Sequence, residues 1–274
     1  MPELDLSSVI EARDVVVGKA GDRDLLADVY QPPAGTSKGA ALLHLHGGGF
    51  RGGAKDGARL APHMASLGYV SVSSQYRLTA EAKWPAQIED VKTALRWINA
   101  QASDLDIDPA KTVVFGYSAG GQLALIASGT QEDARFNGAG GAVPIAACVA
   151  LYPPTSMTRP DGGAMPEPMA PDATDGDLIA ASPLTYAAPG FPPTILLQGT
   201  ADTTVPFGSS LAMFEALREA EVPVELHAFP GLVHAFDGYS DLAAVCAPLI
   251  DFFLDRYVVN PREYPAMARQ AAAR

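Results

Sequence analysis

A serine flanked by glycines is the pattern in this sequence that most directly indicates chemistry. The segment Gly116-Tyr117-Ser118-Ala119-Gly120 has the form G-x-S-x-G and lies where an apolar run gives way to a helical pattern. A serine on a sharp turn from strand to helix exposes its hydroxyl at the carboxyl edge of a sheet, where open α/β sheets bind ligands. The pattern predicts a nucleophilic serine. The alternative is a helix start in which the glycines serve packing alone.

A run of three glycines is the second indication. His46-Gly47-Gly48-Gly49-Phe50 directly follows the apolar segment 39–46. Attack of a serine on an acyl carbonyl creates an oxyanion, which backbone N–H groups held in place stabilise. Residues without side chains leave such donors unobstructed, and the N–H of Ala119 would add another. The two glycine-rich segments together favour acyl transfer.

The same glycines also fit a dinucleotide-binding motif, which the surrounding sequence does not support. Gly47, Gly49 and Gly52 spell G-x-G-x-x-G, but that motif needs an acidic residue at the end of the next strand. The next strand ends in residues 72–75, VSSQ, with no acid. His44 and His46 could share one face of a strand, yet no aspartate or cysteine nearby completes a metal site. Neither a cofactor nor a metal is therefore expected.

The serine needs a base, and five histidines are available. His44 and His46 belong to a strand and its loop, His63 to a helix and His227 to a strand interior, positions with little freedom to reach a serine elsewhere. His234 follows the last predicted strand, in a loop at the carboxyl edge of the sheet. Position therefore selects His234.

The acid that orients the histidine should follow the preceding strand. Asp202 stands just past the buried run 196–199, although an Asx turn or helix cap would explain it as well. Asp237 is the second candidate, three residues from His234. The resulting order of Ser118, Asp202 and His234 along the chain is that of the α/β-hydrolases.

Elements that could hold these residues alternate along the chain. Residues 9–17 and 24–31 predict an antiparallel hairpin, after which short apolar runs alternate with helical patterns such as 56–67, 85–98 and 240–257. Strands separated by helices of this length require right-handed crossovers. The sequence thus predicts a mostly parallel sheet with helices on both faces, in one domain over residues 1–274.

Two segments do not follow this alternation. Residues 153–193 are rich in proline, with methionines at 157, 165 and 169, which is typical of an active-site loop or small lid. Residues 260–274 are predicted to be a tail, and a homodimer through the apolar final helix is one possibility.

Composition narrows the partners. The chain has 274 residues with a formal net charge of −12, so nucleic acid, anionic membranes and highly anionic substrates are disfavoured. No apolar run is long enough for a transmembrane helix, and the amino terminus lacks the features of a secretory signal. Cys148 and Cys246 are interpreted as buried thiols rather than a disulfide, so a cytoplasmic location is predicted.

The sequence resembles the α/β-hydrolase superfamily, and within it the hormone-sensitive-lipase-like esterases and the feruloyl- and acetyl-xylan-esterase-like proteins. The resemblance rests on ordered motifs: HGGGF at 46–50, SSQYRL at 73–78, WPAQIEDV at 84–91, GYSAGG at 116–121, ASPLTY at 181–186, QGTADTTVP at 198–206 and GLVHAF at 231–236. It implies Ser118 as nucleophile, His234 as base, Asp202 as its partner, and Gly48, Gly49 and Ala119 as oxyanion donors. Many relatives carry aspartate where this chain has Tyr117. Because only 45 residues precede His46, no large N-terminal cap is expected.

The expected reaction is hydrolysis of small esters, with acetyl to butyryl groups favoured over long chains. Phe50, Tyr117 and Phe207 are candidates for the substrate pocket, although each could equally serve packing. Three alternatives stay open: a carbohydrate esterase that releases acetyl or feruloyl groups, an arylformamidase or other amide hydrolase, and a non-catalytic ligand-binding protein.

Overall fold

A computed structural model describes residues 5–137, 140–157 and 167–262. Eight strands form one sheet in the order β1-β2-β4-β3-β5-β6-β7-β8. The strands are β1 (Ile10–Ala20), β2 (Arg23–Gln31), β3 (Ala41–Leu45), β4 (Val70–Ser74), β5 (Thr112–Tyr117), β6 (Ala147–Leu151), β7 (Thr194–Gly199) and β8 (Val224–Phe229).

The predicted arrangement of the sheet is confirmed. β1 and β2 form an antiparallel hairpin, and β2 pairs antiparallel with β4. The remaining pairs, from β4 with β3 across the sheet to β7 with β8, are all parallel. Every residue of β3 to β7 is buried, as expected for short apolar strands covered on both faces. The carboxyl ends of the parallel strands therefore meet at one edge.

Helices cover both faces of the sheet. They are α1 (Ala61–Ser66), α2 (Ala86–Ala100), α3 (Ala119–Gly129), α4 (Ala134–Asn137), α5 (Asp175–Ala180), α6 (Phe207–Glu219) and α7 (Ser240–Leu254). Apolar residues of α2, α3 and α6 pack into a core on one face. Those of α1 and α7 pack into a second core on the other.

The helix expected over 56–67 is the element that the sequence placed least well. The structure has a 3-10 turn at Lys55–Gly57, and α1 begins only at Ala61. Pro62 favours the late start, because proline lacks an N–H and its ring clashes with the preceding turn, so the first turn of a helix is the place that accommodates it best. The last helix ends at Leu254 and continues as a π-helical turn over Asp255–Val259.

Several expectations fall partly outside the described residues. Residues 158–166, within the expected lid, and residues 263–274, within the expected tail, are not described. The described part of 153–193 contains α5 and a 3-10 turn at Pro183–Tyr186. The division into domains, the lid and the homodimer stay predictions.

Two smaller features can be stated. Cys148 and Cys246 are free and buried, as predicted. Within the described ranges, each helix is too short or too polar to cross a membrane.

Candidate active site

Ser118 lies on a sharp turn between β5 and α3. Its backbone has φ 52° and ψ −116°, a conformation unfavourable for a residue with a side chain. The turn is possible because two neighbours lack a Cβ: one added at Gly116 would lie 2.0 Å from the carbonyl oxygen of Gly120, and one at Gly120 would lie 2.0 Å from that of Leu45. Ser118 is thereby held at the carboxyl edge of the sheet.

The structure brings together the three residues selected from the sequence. Ser118 Oγ lies 2.9 Å from Nε2 of His234, and Nδ1 of the same ring lies 2.7 Å from Oδ2 of Asp202. The three side chains follow β5, β8 and β7, whose carboxyl ends lie at the same edge of the sheet; β7 and β8 are neighbours, and β6 lies between β5 and β7. The Asp202 side chain is fully buried, and that of His234 is 19% exposed.

Asp202 is held by further donors. The backbone N–H groups of Thr204 and Val205 both donate to Oδ1 at 2.9 Å, and Nε2 of Gln198 donates to Oδ2 at 2.9 Å. Gln198 is itself fixed, because the hydroxyl of Ser210 donates to its Oε1 at 2.8 Å. The sequence analysis did not single out Gln198. A buried glutamine on the strand that precedes a candidate acid was the available signal.

The loop after β3 brings its glycines beside Ser118. A Cβ on Gly47 would lie 3.4 Å from Cβ of Ser118. Gly48 and Gly49 have φ of +122° and +59°, and a Cβ on Gly48 would lie 2.2 Å from the carbonyl oxygen of Gly52. Ala119 is the first residue of α3, so its N–H has no partner within the helix. The glycine loop thus approaches Ser118 at Gly47, and Gly48, Gly49 and Ala119 stay the predicted oxyanion donors.

His44 and His46 are structural. His44 is fully buried and stacked on Phe115 with ring centroids 4.5 Å apart, and burial lowers its pKa to about 3. Its neutral ring lies between the hydroxyls of Tyr117 and Ser71. His46 stacks on Tyr76 at 4.2 Å, and burial lowers its pKa as well.

The remaining histidines are bound elsewhere. Nδ1 of His63 lies 3.1 Å from the carbonyl oxygen of Arg59, and Nε2 of His227 lies 3.2 Å from Glu225. Over the ranges that the structure describes, no group of three or more histidine, cysteine or carboxylate side chains could hold a metal ion.

Asp237, the second candidate acid, has other partners. It is buried and accepts a hydrogen bond from the hydroxyl of Tyr152 on one oxygen, while Nη1 of Arg59 lies 3.5 Å from the other. The Tyr152 ring meets the His234 ring edge-to-face, with centroids 4.6 Å apart. Burial and the nearby Asp237 carboxylate raise the pKa of Tyr152 well above the usual value of a tyrosine. Tyr152 directly follows β6, a position from which it could have been expected at this edge.

Ser118 and His234 line a cavity of about 260 Å³. Its wall also includes Gly48, Arg59 and Tyr152. This volume lies below the roughly 300–1,000 Å³ of sites that hold drug-sized ligands. The cavity therefore fits a small molecule.

The three residues proposed for the substrate pocket are placed differently. Tyr117 lines the cavity, and its hydroxyl accepts a hydrogen bond from the backbone N–H of Leu60 at 3.1 Å. Phe50 is only 3% exposed and packs near Tyr76 in the core, and Phe207 is the half-buried first residue of α6. Neither phenylalanine is among the described residues that line the cavity.

Comparisons with known proteins agree with this geometry. The probable carboxylic ester hydrolase LipM of Mycobacterium tuberculosis is 31% identical over 82% of this chain and 56% of its own length. The carboxylesterase NlhH of the same organism is 31% identical over 89% of this chain and 79% of its own. This chain thus spans little more than half the length of LipM.

A solved structure has the same fold. The butyrate-bound esterase Est2 of Thermogutta terrifontis superposes with a TM-score of 0.74 at 26% identity, over 94% of this chain and 98% of that one. Residues 27–217, more than half of the chain, match the family described as BD-FAE. The chain belongs to the BD-FAE family and has the α/β-hydrolase fold.

Proposed function

We propose that the protein is a serine carboxylesterase that hydrolyses esters of short acyl groups through an acyl-enzyme. The observation that carries the proposal is the continuous hydrogen-bonded series from Ser118 Oγ through His234 to Asp202, with distances of 2.9 and 2.7 Å, beside a small cavity. The esterase names of the relatives with about 30% identity support it.

In the proposed mechanism, Nε2 of His234 takes the proton of the Ser118 hydroxyl as Oγ attacks the ester carbonyl carbon. The negative charge moves to the carbonyl oxygen, which the N–H groups of Gly48, Gly49 and Ala119 stabilise. Asp202 holds the ring with its hydrogen on Nδ1 and stabilises the imidazolium.

Collapse of this intermediate breaks the bond to the alcohol oxygen, and the imidazolium gives that oxygen the proton. Water then enters, loses a proton to His234 and attacks the acyl-enzyme carbon. A second collapse returns the proton to Ser118 Oγ and releases the carboxylic acid. The cycle consumes one water and one ester, and it yields one acid and one alcohol.

Short acyl groups are proposed because the cavity is small. In addition, butyrate and propionate are the ligands named for the Thermogutta terrifontis esterase structures. We expect kcat/KM on 4-nitrophenyl esters to be highest between acetate and butyrate and to fall for longer chains. A maximum at decanoate or longer would contradict this part of the proposal.

Ser118→Ala tests the nucleophile. Loss of the attacking oxygen should reduce kcat on 4-nitrophenyl butyrate by at least about 10³-fold and abolish covalent labelling by a fluorophosphonate. Ser128→Ala is the matched control, because Ser128 lies in α3 and its hydroxyl donates to the carbonyl of Ala124. A Ser118→Ala protein that stays labelled, or that keeps most of its activity, would refute the assignment.

A further inference from the structure

The cavity beside Ser118 is lined by a cationic side chain, although the chain has a net charge of −12. Among the described residues of its wall, Arg59 is the one lysine or arginine, and none is an aspartate or glutamate. Carboxylates elsewhere on the surface act weakly on a ligand in the cavity, because salt screens exposed charges that are more than about 8 Å apart at physiological ionic strength. Arg59 is therefore the cationic side chain that a ligand in this cavity meets, although Asp237, with Oδ2 3.5 Å from Nη1, offsets part of its charge.

Most N–H groups of the Arg59 guanidinium make no hydrogen bond with the described part of the protein. Its side chain is 48% exposed, and its contact with Asp237 is a single pair of atoms, Nη1 and Oδ2, at 3.5 Å. A guanidinium carries five N–H donors in a plane and can hold a carboxylate through two of them. Asp237 lies fully buried behind it and also accepts from Tyr152. The remaining donors of Arg59 are thus available to a ligand.

The position of Arg59 is fixed by its surroundings. The N–H of the next residue, Leu60, donates to the hydroxyl of Tyr117, which directly precedes Ser118. A Cβ on Gly238 would lie 3.3 Å from Nη1 of Arg59, so the guanidinium packs closely over that glycine. The hydrogen bond at Leu60 therefore fixes the backbone next to Arg59, and the contact with Gly238 fixes the guanidinium against the segment that follows His234.

We propose that Arg59 is a specificity-determining residue that binds a carboxylate of the substrate, so that the enzyme prefers small esters bearing one negative charge close to the scissile bond. The proposal rests on the esterase function proposed above and names its substrate class. The carboxylate can belong to the acyl side, as in half-esters of short dicarboxylic acids, or to the alcohol side, as in acylated hydroxy acids. Both present the same chemistry to the guanidinium.

Two pairs of nearly isosteric esters separate these sources. Monoethyl succinate and ethyl 4-oxopentanoate differ by a carboxylate against an acetyl group on the acyl side. Acetoxyacetate and acetoxyacetone differ in the same way on the alcohol side. Hydrolysis is followed by pH-stat titration, and the measured quantity is the ratio of kcat/KM for the charged ester to that for its neutral partner.

Arg59→Gln should lower this ratio about tenfold in one of the two pairs, mainly through a higher KM. Arg59→Lys should retain part of the preference, because it keeps the charge without the planar donors. Arg218→Gln, at an exposed site in α6, makes the same change in net charge and should leave the ratio unchanged. The preference of the unmodified protein should also shrink between about 0.05 and 0.5 M NaCl.

Asp237 could destabilise Arg59→Gln by staying buried without its partner. If that variant shows no cooperative thermal transition, the double variant Arg59→Gln/Asp237→Asn is measured in its place. The proposal is overturned if neither ratio changes more than about twofold on loss of the arginine, or if Arg218→Gln gives the same change. If the unmodified protein still hydrolyses the neutral esters and Ser118→Ala does not, the proposed esterase function is retained although the role of Arg59 is rejected. Hydrolysis of no ester in either pair would reject both proposals.

Discussion

Replacing Asp202 by asparagine exchanges one oxygen for an NH2 group, and the surroundings decide where that group lies. Thr204 and Val205 donate to Oδ1, both at 2.9 Å, so the amide oxygen must stay on that side. The amide nitrogen then occupies the place of Oδ2, 2.7 Å from Nδ1 of His234. From there it donates a hydrogen, which keeps the ring hydrogen on Nε2. A ring in that tautomer cannot accept the proton of Ser118.

Two effects add to give the size of the loss. The ring must leave its preferred tautomer before it can act as a base, and the neutral amide no longer stabilises the imidazolium. In a serine-protease triad the same substitution lowers kcat about 10⁴-fold, which corresponds to about 5.5 kcal/mol. Nε2 of Gln198, 2.9 Å from Oδ2, would also face another donor. We therefore expect kcat of Asp202→Asn to fall at least about 10³-fold with KM nearly unchanged.

Asp237→Asn is the matched control. Asp237 is also buried and lies close to His234 in the sequence, but it contacts Tyr152 and Arg59 instead of the imidazole. Its replacement should reduce kcat on 4-nitrophenyl butyrate less than about tenfold. Steady-state kinetics on both variants, with thermal unfolding to verify their folding, make the comparison. The reasoning is refuted if Asp202→Asn keeps more than about a tenth of kcat, or if the two variants lose equally.

Three further predictions concern stability. Gly120→Ala should destabilise the fold by at least about 3 kcal/mol, because its Cβ would lie 2.0 Å from the carbonyl oxygen of Leu45, whereas Gly208→Ala, with open space around it, should cost little in urea unfolding. Burial lowers the pKa of the Lys92 ammonium to about 8, so the folded state releases this proton at a lower pH than the unfolded state does. The free energy of unfolding should therefore rise by about 2–3 kcal/mol between pH 7 and 10, compared with Lys92→Met over the same range. Burial lowers the pKa of the His44 imidazole to about 3, so on acidification the unfolded state takes up a proton before the folded state does. Between pH 7 and 4, the free energy of unfolding should therefore fall by about 3 kcal/mol more in the unmodified protein than in His44→Gln.

Each of these has a contrary outcome. Equal unfolding midpoints for the two alanine variants would mean that the backbone at Leu45 and His46 can shift at little cost. If the free energy of unfolding depends on pH in the same way for Lys92→Met and for the unmodified protein between pH 7 and 10, the pKa of Lys92 is not lowered by folding. If His44→Gln loses as much stability as the unmodified protein between pH 7 and 4, groups other than His44 cause the loss.

The sequence predicted the strands well, and the three residues it selected for the candidate site lie together in the structure, because both depend on local patterns. Ser118, Asp202 and His234 each follow a short apolar run, and parallel strands bring the residues after their carboxyl ends to one edge.

Features that depend on packing between distant segments were less accessible. α1 is shorter than expected because Pro62 restricts its start, a local signal that the apolar pattern obscured. The sequence suggests Phe50 as a pocket residue, yet the residue has a φ of 63° and packs in the core near Tyr76. Arg59 had no signal at all, because its place in the cavity depends on a loop that folds back over Tyr117.

The close approach of Gly120 to Leu45 has a practical consequence for redesign. The helix that begins after Ser118 and the strand that leads to the glycine loop touch backbone to backbone at this point, with no side chain between them. Efforts to change which esters are accepted should therefore leave this junction untouched. Libraries are better directed at Arg59, whose half-exposed side chain forms part of the cavity wall away from this junction.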